Sequence, residues 1–220
     1  RSITLAILGL DNAGKTTTTK GFSGDPIDLD IAPTIGYSYE KFAFNKYDIT
    51  LYDLGGGKNI RGIWTNYLHE IYGLIYVIDS SAGARMDEAK KNLKEVLENP
   101  HISGKPLLLL ANKQDKSDAL DEVDICEQLN LDQIVTTNKC PCRIETCSAI
   151  KGSGKKMDKS IHNGMKWMLS IIGGQWDQLK NRVDEAIRQE DEKRKIEKAE
   201  RKKRVEERRR ERYVKQIHFC

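Results

Sequence analysis

The sequence predicts an α/β fold: a six-stranded, mostly parallel sheet with one antiparallel edge strand, helices on both faces, and a long projecting C-terminal helix. Three observations carry this. Short apolar runs alternate with helical patterns from residue 3 to residue 172. The dipeptide Asn45-Lys46 interrupts an alternating stretch as a hairpin turn would. Charged side chains fill 27 of the 39 positions from 177 to 215.

Residues 3–8 form an apolar run that ends at Gly9, which predicts a central strand, and residues 15–22 begin a helix. Residues 37–44 alternate bulky and polar side chains, and residues 48–54 resume the pattern beyond the turn. Further strands are expected at 74–79, 107–111 and 143–147, separated by helices at 84–98 and 122–130. The last helix of the domain carries Ile161, Met165, Met168, Leu169 and Ile172 on one face, a core stripe, with Gly173-Gly174 expected to end it.

Charge divides the 220 residues unevenly. The stretch from 177 to 215 holds 16 basic and 11 acidic side chains, leaving 21 basic and 22 acidic elsewhere, so the net charge of +4 belongs to the tail. The remaining ~175 residues suffice for one well-buried domain and not for two. No apolar run approaches the roughly 18 residues of a membrane span. Five cysteines, an odd number, argue for free thiols in a reducing compartment. Cys140, Cys142 and Cys147 lack the spacing and the fourth ligand of a zinc site.

The segment Gly9-Leu10-Asp11-Asn12-Ala13-Gly14-Lys15-Thr16 fits G-x-x-x-x-G-K-[ST] between a strand and a helix, the context that gives the motif meaning. The glycines let successive backbone N–H groups curl around phosphate oxygens, helped by the helix N-terminus. Asp11, Asn12, Ala13, Gly14, Lys15, Thr16 and Thr17 are therefore expected to line the phosphates, with Lys15 reaching the β and γ groups and the Thr16 hydroxyl ligating Mg²⁺. A second glycine-lysine cluster, Gly152-Ser153-Gly154-Lys155-Lys156, lacks the first glycine and the final hydroxyl and is read as a turn.

The base is decided elsewhere. Asn112-Lys113-Gln114-Asp115 follows the strand at 107–111 and resembles the N-K-x-D guanine motif. An aspartate there accepts from guanine N1–H and the exocyclic amine, a donor pair that adenine lacks. Cys147-Ser148-Ala149 resembles the loop whose alanine N–H meets guanine O6.

With Pro33-Thr34-Ile35-Gly36 before the hairpin and Asp53-Leu54-Gly55-Gly56 closing it, the chain resembles the Arf and Arf-like small GTPases from residue 3 to about 172. The resemblance implies that Thr34 ligates Mg²⁺ in the GTP state, that Asp53 supports it through water, and that the Gly56 N–H contacts the γ-phosphate. GTP/GDP and Mg²⁺ are the implied cofactors, and release of γ-phosphate would free both loops. Tyr37, Tyr52 and Tyr67 match the aromatic triad through which family members read effectors, and serve equally well as hairpin and core aromatics. One departure is informative. Gly57 stands where most members carry the glutamine that orients the attacking water, and neither Lys58 nor Asn59 matches that position. No catalytic residue is therefore assigned, and hydrolysis is expected to fall below the roughly 10⁻⁴ per second of the best-known relative unless an activating partner compensates.

The chain is thus expected to comprise a guanine-nucleotide domain, residues 1–174, and an extended charged helix, residues 175–220. Trp176, Leu179, Val183 and Ile187 make a short apolar stripe, and Trp176 is also expected at a partner surface. Acid precedes base by four residues in Asp184/Arg188, Glu190/Arg194, Asp191/Lys195, Glu197/Arg201, Glu200/Arg204 and Glu206/Arg210. The interspersed glutamates favour a solvated, partner-binding helix over nucleic-acid contact. The run Gly55-Gly56-Gly57 together with this helix resembles the ciliary Arf-like GTPases of the Joubert-syndrome type. That resemblance implies a ciliary location, membrane association through residues upstream of Arg1, effector or activating proteins as partners, and exchange-factor activity toward another Arf-like GTPase. The alternative is a switch or scaffold without exchange activity, and Cys220 is not placed as a C-a-a-X prenylation site.

Overall fold

The computed structural model describes residues 1–28 and 32–218, with side chains described as far as residue 209. One sheet organises the chain: β1 (Ser2–Leu8), β2 (Tyr37–Phe44), β3 (Tyr47–Leu54), β4 (Gly73–Asp79), β5 (Leu107–Asn112) and β6 (Cys142–Thr146), in the spatial order β2-β3-β1-β4-β5-β6. Only the β2–β3 hairpin is antiparallel. Its turn is Asn45-Lys46, with Asn45 in the left-handed region at φ 53°.

Helices α1 (Lys15–Ser23), α2 (Met86–Leu97), α3 (Glu122–Leu129), α4 (Leu131–Thr137), α5 (Lys159–Gly174) and α6 (Trp176–His218) cover the sheet. The central strands are buried on both faces, which is why they read as unbroken apolar runs. Ala6, Leu8, Tyr76 and Leu109 face one core with Leu93 of α2 and Ile125 of α3. Leu5, Ile7, Ile49 and Leu108 face the other with Met165 and Leu169 of α5.

Two elements lie outside the sequence reading. Helix α4 was not expected. Asn130, left-handed at φ 51°, caps the end of α3 and the start of α4 at once, so a single residue divides what reads as helix followed by loop. A 3-10 turn at Arg61–Asn66 also follows the glycine run. Helix α5 ends at Gly174, as expected, with a break at Gln175, but not through a left-handed glycine cap. Neither glycine has positive φ. Gly173 answers a packing demand instead, since a Cβ there would lie 2.7 Å from the Tyr47 hydroxyl.

Helix α6 has 43 residues, a length of about 65 Å at 1.5 Å per residue. Its first turns bury Leu179 and Val183 against the second core, and Arg182 donates to the Ser103 carbonyl at 2.8 Å. Further along the stripe fails as expected, with Ile196 and Val205 exposed. The Glu190/Arg194 pair forms at 3.5 Å. Asp184 and Arg188 do not pair with each other: Asp184 takes Lys180 and Arg188 takes Glu185. The Arg210 half of the last expected pair, and Cys220, lie outside the described side chains. No helix among the described residues is long and apolar enough to cross a membrane.

Candidate nucleotide site

The strand order reverses around β1, so the C-terminal ends of the parallel strands open one crevice, the position where such sheets bind ligands. Into it the strands deliver Gly9, Asp53, Asp79, Asn112 and Cys147.

The loop after β1 is built on three left-handed residues, Gly9 (φ 142°), Asn12 (φ 61°) and Gly14 (φ 97°). A Cβ at Gly9 would meet the Val77 carbonyl oxygen at 2.2 Å, so glycine is required by close approach as well as by φ. Helix α1 begins immediately, with Gly14 at its N-cap and no side chain accepting from its first N–H groups. The N–H groups of Lys15, Thr16 and Thr17 are thus left to an external acceptor, with the dipole favouring an anion. The Lys15 ammonium is buried and donates to Leu10 O at 2.8 Å. Burial pushes its pKa down to about 8, against the pull of Asp53 and Asp11.

Three oxygen-bearing side chains converge beside this loop. The Thr16 hydroxyl donates to Asp53 Oδ2 at 2.5 Å and lies 3.0 Å from the Thr34 hydroxyl, which is 3.5 Å from the same carboxylate oxygen. Asp53 is fully buried, and its Oδ1 has no hydrogen-bond partner among the described residues. An orphaned buried carboxylate oxygen beside two hydroxyls is a hard-oxygen donor set suited to Mg²⁺. Burial raises the Asp53 pKa, a cost that a nearby cation would remove.

Asp53 is followed by the glycines that let this segment touch the loop after β1. The Asp11 N–H donates to Gly56 O at 3.2 Å, and a Cβ at Gly56 would fall 2.4 Å from the Leu10 carbonyl carbon. Gly55 donates to Gly36 O at 2.9 Å, tying this segment to the one that carries Thr34. Gly57 differs: a Cβ there would meet only Ile60 Cδ1, at 3.7 Å. Packing would accept a side chain at 57, and the backbone does not demand glycine. Lys58 lines the groove between the Arg61–Asn66 turn and α2, with Lys91 and Asn92.

An ionic cluster that sequence reading missed lies over this junction. Arg61 Nε donates to Gly56 O at 2.6 Å, its Nη2 bonds Glu88 at 2.8 Å, and Arg85 bonds Asp11 at 2.7 Å. The Arg85 guanidinium holds the Asp11 carboxyl below its usual range. The members come from three separate segments, so no local spacing announces them.

At the base end, Asn112 acts as a strut. Its Nδ2 donates to Ala13 O at 2.8 Å and its Oδ1 accepts from the Ala149 N–H at 2.9 Å. The Ala149 N–H, expected at the base edge, is therefore engaged by Asn112 here. Lys113, left-handed at φ 68°, pairs with Asp79 at 2.8 Å. Ser148 donates to Asp115 Oδ1 at 2.5 Å, which orients that carboxylate and lowers its pKa.

Tyr37, Tyr52 and Tyr67 do meet, with ring centroids 4.9 to 6.3 Å apart. Tyr39 joins through Tyr52 at 6.4 Å, a fourth member that the alternation of β2 places on the same face. Tyr37 and Tyr39 are half exposed, whereas burial and Glu70 push the Tyr52 phenol up to about 12. Trp176, expected at a partner surface, is taken up within the chain: it stacks on Tyr72 at 5.6 Å and 12°, under the Arg1 guanidinium at 4.6 Å. It anchors α6 to the domain.

The glycine-built loop at the N-terminus of α1, the hydroxyl–carboxylate cluster beside it and the Asn112–Asp115 loop across the crevice mark a P-loop nucleotide switch. Residues 1–172 match the ADP-ribosylation factor family, and the chain belongs to it. Over 193 residues it is 38% identical to ADP-ribosylation factor-like protein 13B of Chlamydomonas reinhardtii, a match covering 86% of this chain and 36% of that protein. The chain thus spans about a third of the length of that relative. It is 39% identical over 168 residues to ADP-ribosylation factor-like protein 3 of the same organism, covering 76% of this chain and 89% of the relative. Among solved structures it resembles the Arl6 BBS3 small GTPase of Trypanosoma brucei with bound GppNp, at TM-score 0.69 and 29% identity over 80% of this chain and 99% of that one.

Proposed function

We propose that the chain is a GTP- and Mg²⁺-dependent Arf-like switch with very slow intrinsic hydrolysis, its nucleotide domain spanning residues 1–174 and its charged helix residues 175–220. The observation that carries the reading is Gly57, a glycine where neither packing nor φ requires one, beside an otherwise complete phosphate and metal cradle. Lys15, Thr16, Thr34 and the Gly56 N–H would hold the γ-phosphate end, with Thr16, Thr34 and Asp53 around the ion. Mg²⁺ would neutralise charge on the phosphates, and no residue of this chain then orients the water.

A long-lived GTP form suits a protein that acts by binding. Tyr37, Tyr39, Tyr52 and Tyr67 form the half-exposed surface offered to effectors or activating proteins. By resemblance to the ciliary subgroup, the GTP form works in cilia, in association with membrane, as exchange factor for another Arf-like GTPase. The discriminating experiment follows release of labelled GDP from a panel of Arf-like proteins with this chain loaded with GTP, loaded with GDP, or cut after Gly174. Acceleration by the GTP form alone supports exchange. No acceleration in any arm leaves a recruiting switch or scaffold.

A further inference from the structure

The loop Ser148-Ala149 borders the base end of the crevice, and its own side chains do not hold it. It opens a 3-10 turn, Ala149–Lys151, that receives no side-chain cap from Ser148. The hold comes from further along the chain, at Asp158. Its carboxylate is nine-tenths buried and takes three donors. Oδ1 accepts from the Ser160 N–H at 2.9 Å, which caps α5. Oδ2 accepts from the Ser148 N–H at 3.0 Å and from the Lys151 ammonium at 2.9 Å. Burial alone would raise the Asp158 pKa, but Lys151 and the two N–H groups hold it below the ordinary range.

Helix capping does not account for this arrangement. Asp121 caps α3 from an exposed position with one bond, from the Asp124 N–H at 2.9 Å. Asp158 is buried, and its second oxygen is turned to the guanine loop. The intervening segment is shaped for this return. Gly152 has φ 151°, and a Cβ there would lie 2.6 Å from Lys156 O, so the glycine-lysine cluster makes a tight turn that carries the chain back to Ser148. Ser148 is fully buried, and its hydroxyl donates to Asp115 Oδ1 at 2.5 Å. Where that hydroxyl points depends on the Ser148 backbone, so a carboxylate fixed at the start of α5 aligns the carboxylate at the base end.

We propose that Asp158 is a positioning residue for guanine selection: it holds Ser148, and Ser148 aligns Asp115 with the N1–H and exocyclic amine of the base. The role rests on the GTP reading proposed above and extends it to the choice of base. Release of ribose-labelled fluorescent GDP and IDP from the 220-residue chain tests it, because inosine keeps N1–H and O6 and lacks only the amine. Asp158→Ser retains a capping oxygen for Ser160 and has none to reach Ser148. With each bond from the base to Asp115 weakened about threefold, GDP, which makes two, should leave about tenfold faster, and IDP, which makes one, about threefold faster. The preference for GDP over IDP then shrinks about threefold, whereas a role confined to the α5 cap would speed both equally. Asp158→Asn keeps the shape with one acceptor oxygen in place of two and should shift the ratio the same way, so the test does not depend on the folding of one variant. In a Ser148→Ala background the hydroxyl that links the two carboxylates is gone, and Asp158→Ser should leave the GDP-to-IDP ratio unchanged. Equal acceleration of both nucleotides, or a further fall of the ratio in the double variant, overturns the proposal while the GTP reading stands. Wild type that holds IDP as tightly as GDP overturns both.

Discussion

The Asn112 side chain joins the Ala13 carbonyl, 99 residues away in sequence, to the Ala149 N–H, with bonds of 2.8 and 2.9 Å on its two ends. The guanine loop and the phosphate loop are therefore one mechanical unit. Asn112→Ala removes both bonds and leaves two buried backbone groups unpaired. At about 1 kcal/mol net for each bond, dissociation of fluorescent GDP should accelerate by roughly thirtyfold. Asn112→Asp keeps an acceptor for Ala149 and loses the donor to Ala13, and should fall between.

Lys15 makes nucleotide binding pH-dependent. Its pKa in the unliganded protein is pushed down to about 8 by burial. Phosphates favour the protonated amine, so the bound pKa is higher than the free one. Well below pH 8 the amine is charged in both states and its contribution to affinity is flat. Between the free and bound pKa values, binding takes up a proton, and affinity falls by up to tenfold per pH unit. Titration calorimetry in buffers of different ionisation enthalpy at pH 9 should show that uptake, and Lys15→Met should abolish it.

Gly173→Ala reverses an ordinary expectation. Within a helix the change gains about 1 kcal/mol, but here the methyl would press the Tyr47 hydroxyl at 2.7 Å. A net loss of about 1 to 3 kcal/mol is predicted from overpacking. Tyr47→Phe removes the hydroxyl that is struck, so the double variant should recover most of the loss in chemical denaturation. Additive losses would remove this explanation for the glycine.

Trp176→Ala should lower stability by about 2 kcal/mol through loss of its stack on Tyr72. GDP release should stay unchanged, because Trp176 touches nothing in the crevice. A changed release rate would contradict its role as an anchor for α6.

Much of this was legible in the sequence for a stated reason. Strand-loop-helix punctuation at Gly9 and Gly14 is local chemistry, and so is the hairpin at Asn45-Lys46. The apolar runs of β1, β4 and β5 follow from burial on both faces. What stayed hidden depends on contacts between distant segments. Asn130 divides two helices by adopting φ 51°, a state that its identity permits but does not demand. Gly173 lies in the last turn of α5, where the stop was expected, but its close approach to Tyr47 left no local signal. The Asp11, Arg61, Arg85 and Glu88 cluster exists only after the chain has folded. Trp176 showed no local sign of its stack on Tyr72 and its contact with Arg1, which leave it partly buried.

Gly57 is the residue on which the account turns, and single-turnover hydrolysis of bound GTP, compared between wild type and Gly57→Gln, tests it most directly. The open space around position 57 means that the glutamine should fold without strain. Wild-type hydrolysis is expected to be slower than the roughly 10⁻⁴ per second of a glutamine-bearing relative, with a gain of at least tenfold for Gly57→Gln. Wild-type hydrolysis at or above that rate, or a glutamine variant no faster, would contradict it.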